Sequence, residues 1–321
     1  MSDQEAKSIP EATLADIGEF GLIRALAGRL PQLAGVVLGP GDDAAVIAAP
    51  HGVVAVTTDV LVAGVHFRTD WASAYDIGRR AAAASLADVA AMGGRTTALV
   101  VALTAPADLE VAWALRMADG LRDEAAEVGA SVAGGDLARS SQLSIAVTAV
   151  GDLEGRSPVT RSGAHVGDVV AVCGRLGWAA AGLAVLSRGS RTPRALVAAY
   201  RRPEPPYWAG PAAATAGATA MCDVSDGLLA DLGHVAEASG VGIDVWSGAL
   251  EVAAPVREVA AAYGKDPMRW ILGGGDDHAL VATFPATVVR PQGFQEVGSV
   301  VPGEGVRVDG EHVEPGGHSH F

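Results

Sequence analysis

The sequence predicts two domains of mixed α/β or α+β class. Its 321 residues fit two domains of about 100–200 residues each, and half of them are hydrophobic, so a sizeable core is available. In both halves, short β-branched runs alternate with longer segments of helical periodicity. The stretch 151–163 contains Pro158 and glycines and is the predicted boundary. We therefore expect an N-terminal domain at 1–155 and a C-terminal α/β domain at 156–321.

The N-terminal half predicts helices, strands and one loop in alternation. Ile17, Ile23 and Leu26 recur at helical spacing and predict an amphipathic helix over 14–30. Ser73, with Asp76 three residues later, is typical of a helix start, which predicts a helix over 73–93. The other predictions for this half are strands at 53–56, 97–104 and 142–150, a loop at 61–67, and a helix opened by Pro106 and continuing to about 129.

The C-terminal half repeats this style. Its predicted strands cover 168–173, 221–223, 241–245 and 278–284, and its predicted helices cover 177–187, 208–219, 227–238 and 254–262. From residue 296 onward the pattern is hairpin-like, because Asp309-Gly310 is a strong turn signal. The second half is therefore expected to hold its own sheet.

Charge and composition exclude several classes of function. The net charge of −14 argues against binding to nucleic acid or to an anionic membrane. Of the 23 basic residues only Lys7 and Lys265 are lysines, and neither stands in a P-loop motif. No apolar run is long enough for a membrane span, the N-terminus is polar, and Cys173 and Cys222 are too few for a disulfide framework. We therefore expect a cytoplasmic protein. If it handles phosphates, it must neutralise them with arginine or with metal, and its carboxylates favour metal.

Acidic motifs beside glycine or hydroxyl residues recur along the whole chain. They are Asp42-Asp43 in a Gly/Pro turn, Asp59 after Thr57-Thr58, Asp88 on the apolar stripe of a helix, Asp136 after Gly134-Gly135, Asp223 with Ser225-Asp226, and Asp276-Asp277 after three glycines. Asp59 and its threonines are expected at the end of the strand 53–56, where α/β proteins place ligands. Carboxylates with nearby hydroxyls suit a site that holds both magnesium and phosphate.

Each motif also has a structural explanation. The carboxylates of Asp42, Asp43 and Asp136 fit solvated turns, and one carboxylate of the Asp223–Asp226 motif fits a helix N-cap. Arginine pairing is a further alternative, with partners available at Arg79, Arg80, Arg95 and Arg139. His66 fits a structural loop histidine, and Arg161 fits either an anion contact or an exposed linker residue. The residues alone leave these alternatives open.

Taken together, the motifs resemble the thiamine-monophosphate kinase family of the aminoimidazole-ribonucleotide-synthetase superfamily. The matching segments occur in order over nearly the whole chain: Gly18–Ile23, Gly41–Ala45, Thr57–Phe67, Ser85–Gly93, Gly134–Asp136, Thr160–Ala164, Asp223–Leu228 and Gly273–Asp277. The resemblance implies two α/β domains of the synthetase-superfamily fold, with the N-terminal domain binding ATP and magnesium and forming a homodimer through its strands.

The resemblance also implies a reaction and a set of site residues. The reaction is transfer of the ATP γ-phosphoryl group to thiamine monophosphate, giving thiamine diphosphate. Residues implied as magnesium ligands are Asp43, Thr57, Thr58, Asp59, Asp88, Asp136, Asp223 and Asp226, of which Asp88 and Asp226 are also implied as catalytic. Residues implied as ATP contacts are Thr57, Gly135, Asp136, Arg161 and Ser225, and those implied as substrate contacts are His66 and Asp276.

The chain departs from the family pattern in a few places. The family often has Glu at the position of Asp276, followed by Asp-Tyr-Glu, whereas here Asp277-His278-Ala279 follow. The chain also ends without the usual aromatic residue near its C-terminus. The alternatives to this assignment are another ATP-dependent synthetase or ligase of the superfamily, and a protein that binds divalent cations or nucleotide without turnover. We expect direct in-line transfer without a phosphoenzyme, since the acceptor is already an ionised phosphate.

Overall fold

The computed structural model describes residues 12–39 and 44–313, apart from the side chains of Glu19 and Phe20. The chain forms two compact units, which are described separately. The first comprises the described part of Met1–Ser85 together with Thr96–Gly151, and the second comprises Leu86–Arg95 together with the described part of Asp152–Phe321. Within the described ranges, we find no helix that combines the length and the hydropathy needed to cross a membrane.

The first unit is built on a four-stranded sheet. Its elements in chain order are α1 (Leu14–Ala27), β1 (Val36–Leu38), β2 (Val46–Ile47), β3 (Val54–Val62), α2 (Ala74–Ala91), β4 (Arg95–Ala105), α3 (Val111–Glu127), β5 (Ser131–Arg139) and β6 (Ser144–Asp152). The sheet has the strand order β3-β6-β4-β5, with β4 and β5 parallel, and β1 pairs with β2 in a separate antiparallel ribbon. The last turns of α2 belong to the second unit.

Two glycines let α2 and α3 approach each other closely. A Cβ atom on Gly78 of α2 would overlap the carbonyl oxygen of Met117, and one on Gly120 of α3 would overlap that of Tyr75. The alanine-rich face of α2 is buried, with Ala81, which is fully buried, as one example. Small residues at the contact therefore bring the two helix backbones together.

A buried carboxylate on α3 gathers the basic side chains around it. Asp119 is 4% exposed, and it accepts hydrogen bonds at 2.9 Å from both Arg29, which follows α1, and Arg122. A second buried acid on the same helix, Glu124, is paired with Arg79 of α2. Buried charges are tolerated only when they are paired in this way.

The second unit is built on a seven-stranded sheet. After a short 3-10 turn at Arg161–Gly163, its elements are β7 (Val169–Cys173), α4 (Trp178–Ser187), α5 (Arg194–Arg201), α6 (Ala209–Ala216), β8 (Ala220–Val224), α7 (Leu228–Ser239), β9 (Gly242–Val245), α8 (Ala254–Ala262), α9 (Met268–Gly273), β10 (Ala279–Phe284), β11 (Gln295–Val301), β12 (Gly305–Val308) and β13 (Glu311–His312). The strand order is β13-β12-β9-β11-β7-β10-β8, and only the β9–β12 pair among those described is parallel.

The strands β7, β8 and β10 are buried on both faces. One face packs Cys222 and Val224 into the larger core cluster, while the other packs Met221 and Phe284 into a smaller one. This double burial explains why these segments are mostly apolar and do not alternate between apolar and polar residues. The predicted α/β class is confirmed.

Several predicted elements are confirmed closely. Helix α8 has the predicted bounds, and the Ser73 hydroxyl and the Asp76 carboxylate bond to each other and to each other's backbone N–H at the start of α2. Asp309 and Gly310 form the turn between β12 and β13, with φ values of 52° and 82°. Local signals of this kind depend on neighbouring residues only, which is why the sequence reveals them.

Other predictions are wrong. Helix α3 begins at Val111 and not at Pro106, because the carbonyls of Ala107 and Leu109 accept hydrogen bonds from the first backbone N–H groups of α1. Helices α5 and α9 were not predicted, although α5 buries Leu196 and Tyr200 on one face. The predicted loop at 61–67 is partly strand, since β3 continues to Val62.

Candidate functional site

The middle of β3 carries the Thr-Thr-Asp motif of the first unit. The prediction that Asp59 ends its strand is wrong, because β3 runs from Val54 to Val62 and Asp59 lies inside it. Side chains alternate along the strand, so Thr57 and Asp59 share the more buried face. On that face the hydroxyl of Ser85 in α2 donates to Asp59 Oδ2 at 2.6 Å.

Thr58 points to the opposite face of β3. There Thr148 of β6 donates a hydrogen bond to the Thr58 hydroxyl at 3.1 Å. Of the three adjacent candidates, the Thr58 side chain is therefore separated from the other two by the sheet itself. The sequence analysis missed this separation because it ended the strand before Thr57, and side chains alternate between two faces only within a strand.

The Gly-Gly-Asp motif lies in β5, which makes the turn interpretation wrong. Gly135 pairs with Val101 and Asp136 with Ala102 in the parallel β4–β5 ladder. A Cβ atom on Gly135 would overlap the carbonyl oxygen of Val101, so close strand pairing requires glycine there. Asp136 is exposed.

His66 has a structural hydrogen bond at the end of β3. The backbone N–H of Val62 donates to His66 Nδ1 at 3.0 Å, and the His66 N–H donates back to the Val62 carbonyl at 2.9 Å. With Nδ1 accepting, the neutral ring carries its hydrogen on Nε2. Its position as a substrate contact stays a prediction.

Asp88 lies on the least buried line of α2. Ala84, Asp88 and Met92 are half-buried, whereas the helix positions between them are mostly buried. These three residues do share a line along the helix, but the prediction that this line faces inward is wrong, because it is the least buried line of that part of α2. Asp88 also makes an interaction within the protein, so it is not an isolated carboxylate.

In the second unit, two loops bring four candidate residues together. Asp223 lies near the end of β8, the loop after β8 carries Ser225 and Asp226, and the loop before β10 carries Asp276. The Asp276 N–H donates to the Ser225 carbonyl at 2.9 Å. A Cβ atom on Gly275 would overlap that same carbonyl, so glycine is needed here for backbone packing.

Helix capping does not account for Asp226. Helix α7 begins at Leu228 after Gly227, and no side chain caps it. Instead Asp231, one turn into the helix, accepts hydrogen bonds from the backbone N–H groups of Asp226 and Gly227 at 3.0 and 3.1 Å. Burial, with a smaller effect of the Asp223 charge, raises the pKa of Asp231 to about 7. The signal for Asp231 in the sequence was a carboxylate among leucines, between Leu229 and Leu232.

Two further residues of the loop before β10 take part in the site, of which Asp277 was predicted only as part of an acidic motif and His278 was not predicted. The Asp277 carboxylate is 5% exposed and accepts a hydrogen bond from the Ala179 N–H at the start of α4. His278 is 7% exposed, and its Nδ1 lies 2.9 Å from Asp223 Oδ2. Asp276 and His278 both have positive φ, 67° and 50°. Their signal was the position next to the triple glycine.

Arg161 lies in the 3-10 turn beside the same loops. Its carbonyl accepts a hydrogen bond from Ser239 at 2.8 Å, and the preceding Thr160 carbonyl accepts one from the Met221 N–H at 3.2 Å. The Arg161 charge lowers the pKa of the Cys222 thiol, while burial, which dominates, and the charges of Asp231 and Asp223 raise it. Arg161 therefore lies close enough to the Cys222 thiol to interact with it electrostatically, and the Arg161 side chain is exposed.

The candidate site residues carry the type of ligand atom that magnesium prefers. Within 12–39 and 44–313, no three His, Cys, Asp or Glu side chains are close enough to hold a metal ion, and the predicted ligand Asp43 lies outside these ranges. The candidates offer carboxylate and hydroxyl oxygens, which magnesium prefers. Two of the carboxylates, those of Asp59 and Asp223, are oriented by Ser85 and His278, as metal-binding carboxylates usually are.

Comparison with known proteins identifies the family. Residues 41–153 match the AIR synthase related protein, N-terminal domain. A thiamine-monophosphate kinase of Mycobacterium tuberculosis is 50% identical over 301 residues, which cover 93% of this chain and 90% of that protein. This chain belongs to the thiamine-monophosphate kinase family. A family member from Aquifex aeolicus is 35% identical over 321 residues, covering 96% and 99% of the two chains. The chain is therefore an enzyme, a phosphotransferase.

Solved structures of the thiamine-monophosphate kinase family have the same fold. AaThiL complexed with AMPPCP and TMP gives a TM-score of 0.80 at 34% identity, covering 97% of this chain and 99% of that one. The enzyme from Stenotrophomonas maltophilia gives 0.81 at 33% identity, covering 92% and 98%. The hydrogenase maturation protein HypE in complex with ATP gives a TM-score of 0.73 at 18% identity, covering 93% of this chain and 92% of that one. At this identity the likeness shows the fold alone. The predicted synthetase-superfamily fold is confirmed.

Proposed function

We propose that this protein transfers the γ-phosphoryl group of ATP to the phosphate of thiamine monophosphate. The observation that carries the proposal is 50% identity to a thiamine-monophosphate kinase over 93% of the chain. A family structure 34% identical to this chain contains an ATP analogue together with TMP, which are the two ligands that the reaction requires. The product would be thiamine diphosphate, and the location that we propose is the cytoplasm.

Positioning and charge neutralisation would account for catalysis. The acceptor is an ionised phosphate near neutral pH, so it needs no general base, and we propose direct in-line transfer without a phosphoenzyme. Bound magnesium ions would neutralise phosphate charge during transfer. The residues that would hold them are Asp43, Thr57, Thr58, Asp59, Asp88, Asp136, Asp223 and Asp226, with Asp88 and Asp226 proposed as catalytic. The Thr58 side chain, on the opposite face of β3, would hold a different ion from Thr57 and Asp59.

Separate residues would bind the two substrates. The proposed ATP contacts are Thr57, Gly135, Asp136, Arg161 and Ser225, and the proposed thiamine monophosphate contacts are His66 and Asp276. The exposed guanidinium of Arg161 would provide a positive charge for an anionic ligand, in a chain whose basic residues include only two lysines. The hydrogen bond from Asp276 N–H to the Ser225 carbonyl would couple the acceptor loop to the nucleotide loop.

We also propose that the protein is a homodimer assembled through the N-terminal sheet. Strand β3 is a terminal strand of that sheet, and Val54, Val56 and Val60 on its outer face are exposed by 39%, 63% and 52%. A terminal strand with an apolar face favours pairing with another chain. A second copy of this chain fits the strand-mediated assembly expected from the resemblance.

An assay of the phosphate acceptor tests the proposed reaction. With ATP and magnesium, we expect ADP formation that depends on thiamine monophosphate and is absent with free thiamine, because the acceptor must be anionic. Mass spectrometry of the product should show thiamine diphosphate, and excess chelator should stop the reaction. Equal turnover of thiamine and its monophosphate, or no turnover of either, would contradict the assignment.

A further inference from the structure

We propose that His278 is a positioning residue that holds the Asp223 carboxylate in the orientation needed to bind magnesium. This inference rests on the proposed function, in which Asp223 is a magnesium ligand. His278 directly follows Asp276 and Asp277 in the chain. It would act through Asp223 and would not itself touch metal or substrate.

The geometry of the pair is that of a donor orienting an acid. His278 Nδ1 lies 2.9 Å from Asp223 Oδ2, and both side chains are buried, at 7% and 3% exposure. An ionised carboxylate only accepts hydrogen bonds, so the hydrogen lies on Nδ1 of the imidazole. A buried carboxylate that lost this bond would be left without its donor and free to adopt another rotamer.

The backbone fixes the ring in place. His278 immediately precedes β10, whose next residue, Ala279, pairs with Val224, and Leu280 pairs with Asp223 itself. The His278 N–H donates to the Val224 carbonyl at 3.1 Å. His278 has φ of 50°, a left-handed conformation that is unfavourable for most residues and persists only where the surroundings impose it.

A hydrogen bond to a metal ligand from a residue that does not touch the metal has a measurable effect on metal binding. Loss of a partner that orients a metal ligand typically lowers metal affinity or activity by about 10–100-fold. A residue with only a structural role would instead lower the melting temperature and leave the magnesium requirement unchanged. The two roles are therefore separable by a titration with magnesium.

The choice of variants at position 278 takes account of its left-handed backbone conformation. His278→Gly removes the donor and is relaxed at positive φ, while His278→Asn tolerates that φ and places its amide nitrogen near the position of Nδ1. His278→Gln places its amide nitrogen near the position of Nε2, so it is a donor of similar polarity in the wrong place. His234→Asn on the exposed face of α7 is the control for loss of a histidine.

Two titrations with magnesium serve as readouts, one of them independent of turnover. The first is the magnesium concentration that gives half of the melting-temperature increase in the presence of AMPPCP. The second is the magnesium concentration that gives half-maximal ADP formation. We expect His278→Gly and His278→Gln to need about 10–100-fold more magnesium in both, and His278→Asn and His234→Asn to stay within about threefold of the wild type.

Each outcome decides the question. If His278→Gly folds and keeps the wild-type magnesium requirement, the inference is wrong even if the kinase assignment stands. If His278→Gly does not fold, the comparison of Asn with Gln decides, and equal requirements in these two would overturn the inference. If the wild type lacks thiamine monophosphate turnover, the proposed reaction fails, yet the AMPPCP titration still tests His278. A wild type without any magnesium-dependent shift would overturn both.

Discussion

At the scale of single residues, Asp277 determines a pH dependence of stability. Burial raises its pKa to about 7, although the backbone N–H groups of Ala179 and Trp178 lower it, and its Oδ2 has no hydrogen-bond partner within the described chain. Because the folded pKa exceeds the unfolded value of 3.8, the folded state retains a proton that the unfolded state has already lost. Stability therefore falls as pH rises from about 4 to 7, and the penalty is complete above that range.

Asp277→Asn should remove this dependence. We expect its free energy of unfolding, relative to wild type, to become more favourable by about 3 kcal/mol between pH 5 and pH 8. Urea denaturation at both pH values measures the difference. Asp309→Asn is the control for loss of an aspartate charge, because hydrogen bonds from Ser247 lower the pKa of Asp309. Its difference from wild type should stay constant over the same range. A constant difference for Asp277→Asn would mean that its folded pKa is not raised.

At the scale of secondary-structure elements, the crossing of α2 and α3 depends on two glycines. Gly120→Ala should destabilise the protein by at least about 2–3 kcal/mol, because the added methyl group overlaps the carbonyl oxygen of Tyr75 and the helices must separate. Gly233→Ala in α7 is the matched control. No atom lies within 4 Å of its added Cβ, so helix propensity predicts a gain of up to about 1 kcal/mol.

Chemical denaturation of both variants tests the crossing. The sign of the effect is the informative quantity, since the two substitutions are chemically identical and differ only in the space around them. If Gly120→Ala were neutral or stabilising, the close approach of α2 and α3 would not exist in solution.

At the scale of the whole molecule, the proposed homodimer can be tested on the outer face of β3. A homodimer assembled there would bury Val56, so Val56→Asp should convert it to a monomer by placing an unpaired charge in the interface. Light scattering after size-exclusion chromatography measures the mass, and circular dichroism verifies that the fold persists. Val289→Asp is the control, because Val289 is 89% exposed and lies outside this strand. A dimeric Val56→Asp variant, or a monomeric wild type, would exclude this interface.

Much of this protein was determined by its sequence alone. The α/β class, the capped start of α2 at Ser73, the Asp309-Gly310 turn and the bounds of α8 all depend on periodicity or on residues a few positions apart. The motifs that indicated the family are equally local, and their order along the chain made the resemblance specific. Information carried by neighbouring residues is available before any folding is considered.

Tertiary structure decided which side chains meet. His278 and Asp223 are 55 positions apart, and only the register of β10 against β8 brings them within 2.9 Å. Because β3 continues to Val62, Thr58 and Asp59 lie inside the strand and point to opposite faces of the sheet, and Asp59 meets Ser85 on its face. The physical reason is that strand register and burial arise from pairing between distant segments, whereas the sequence pattern reports only the local preference of each segment.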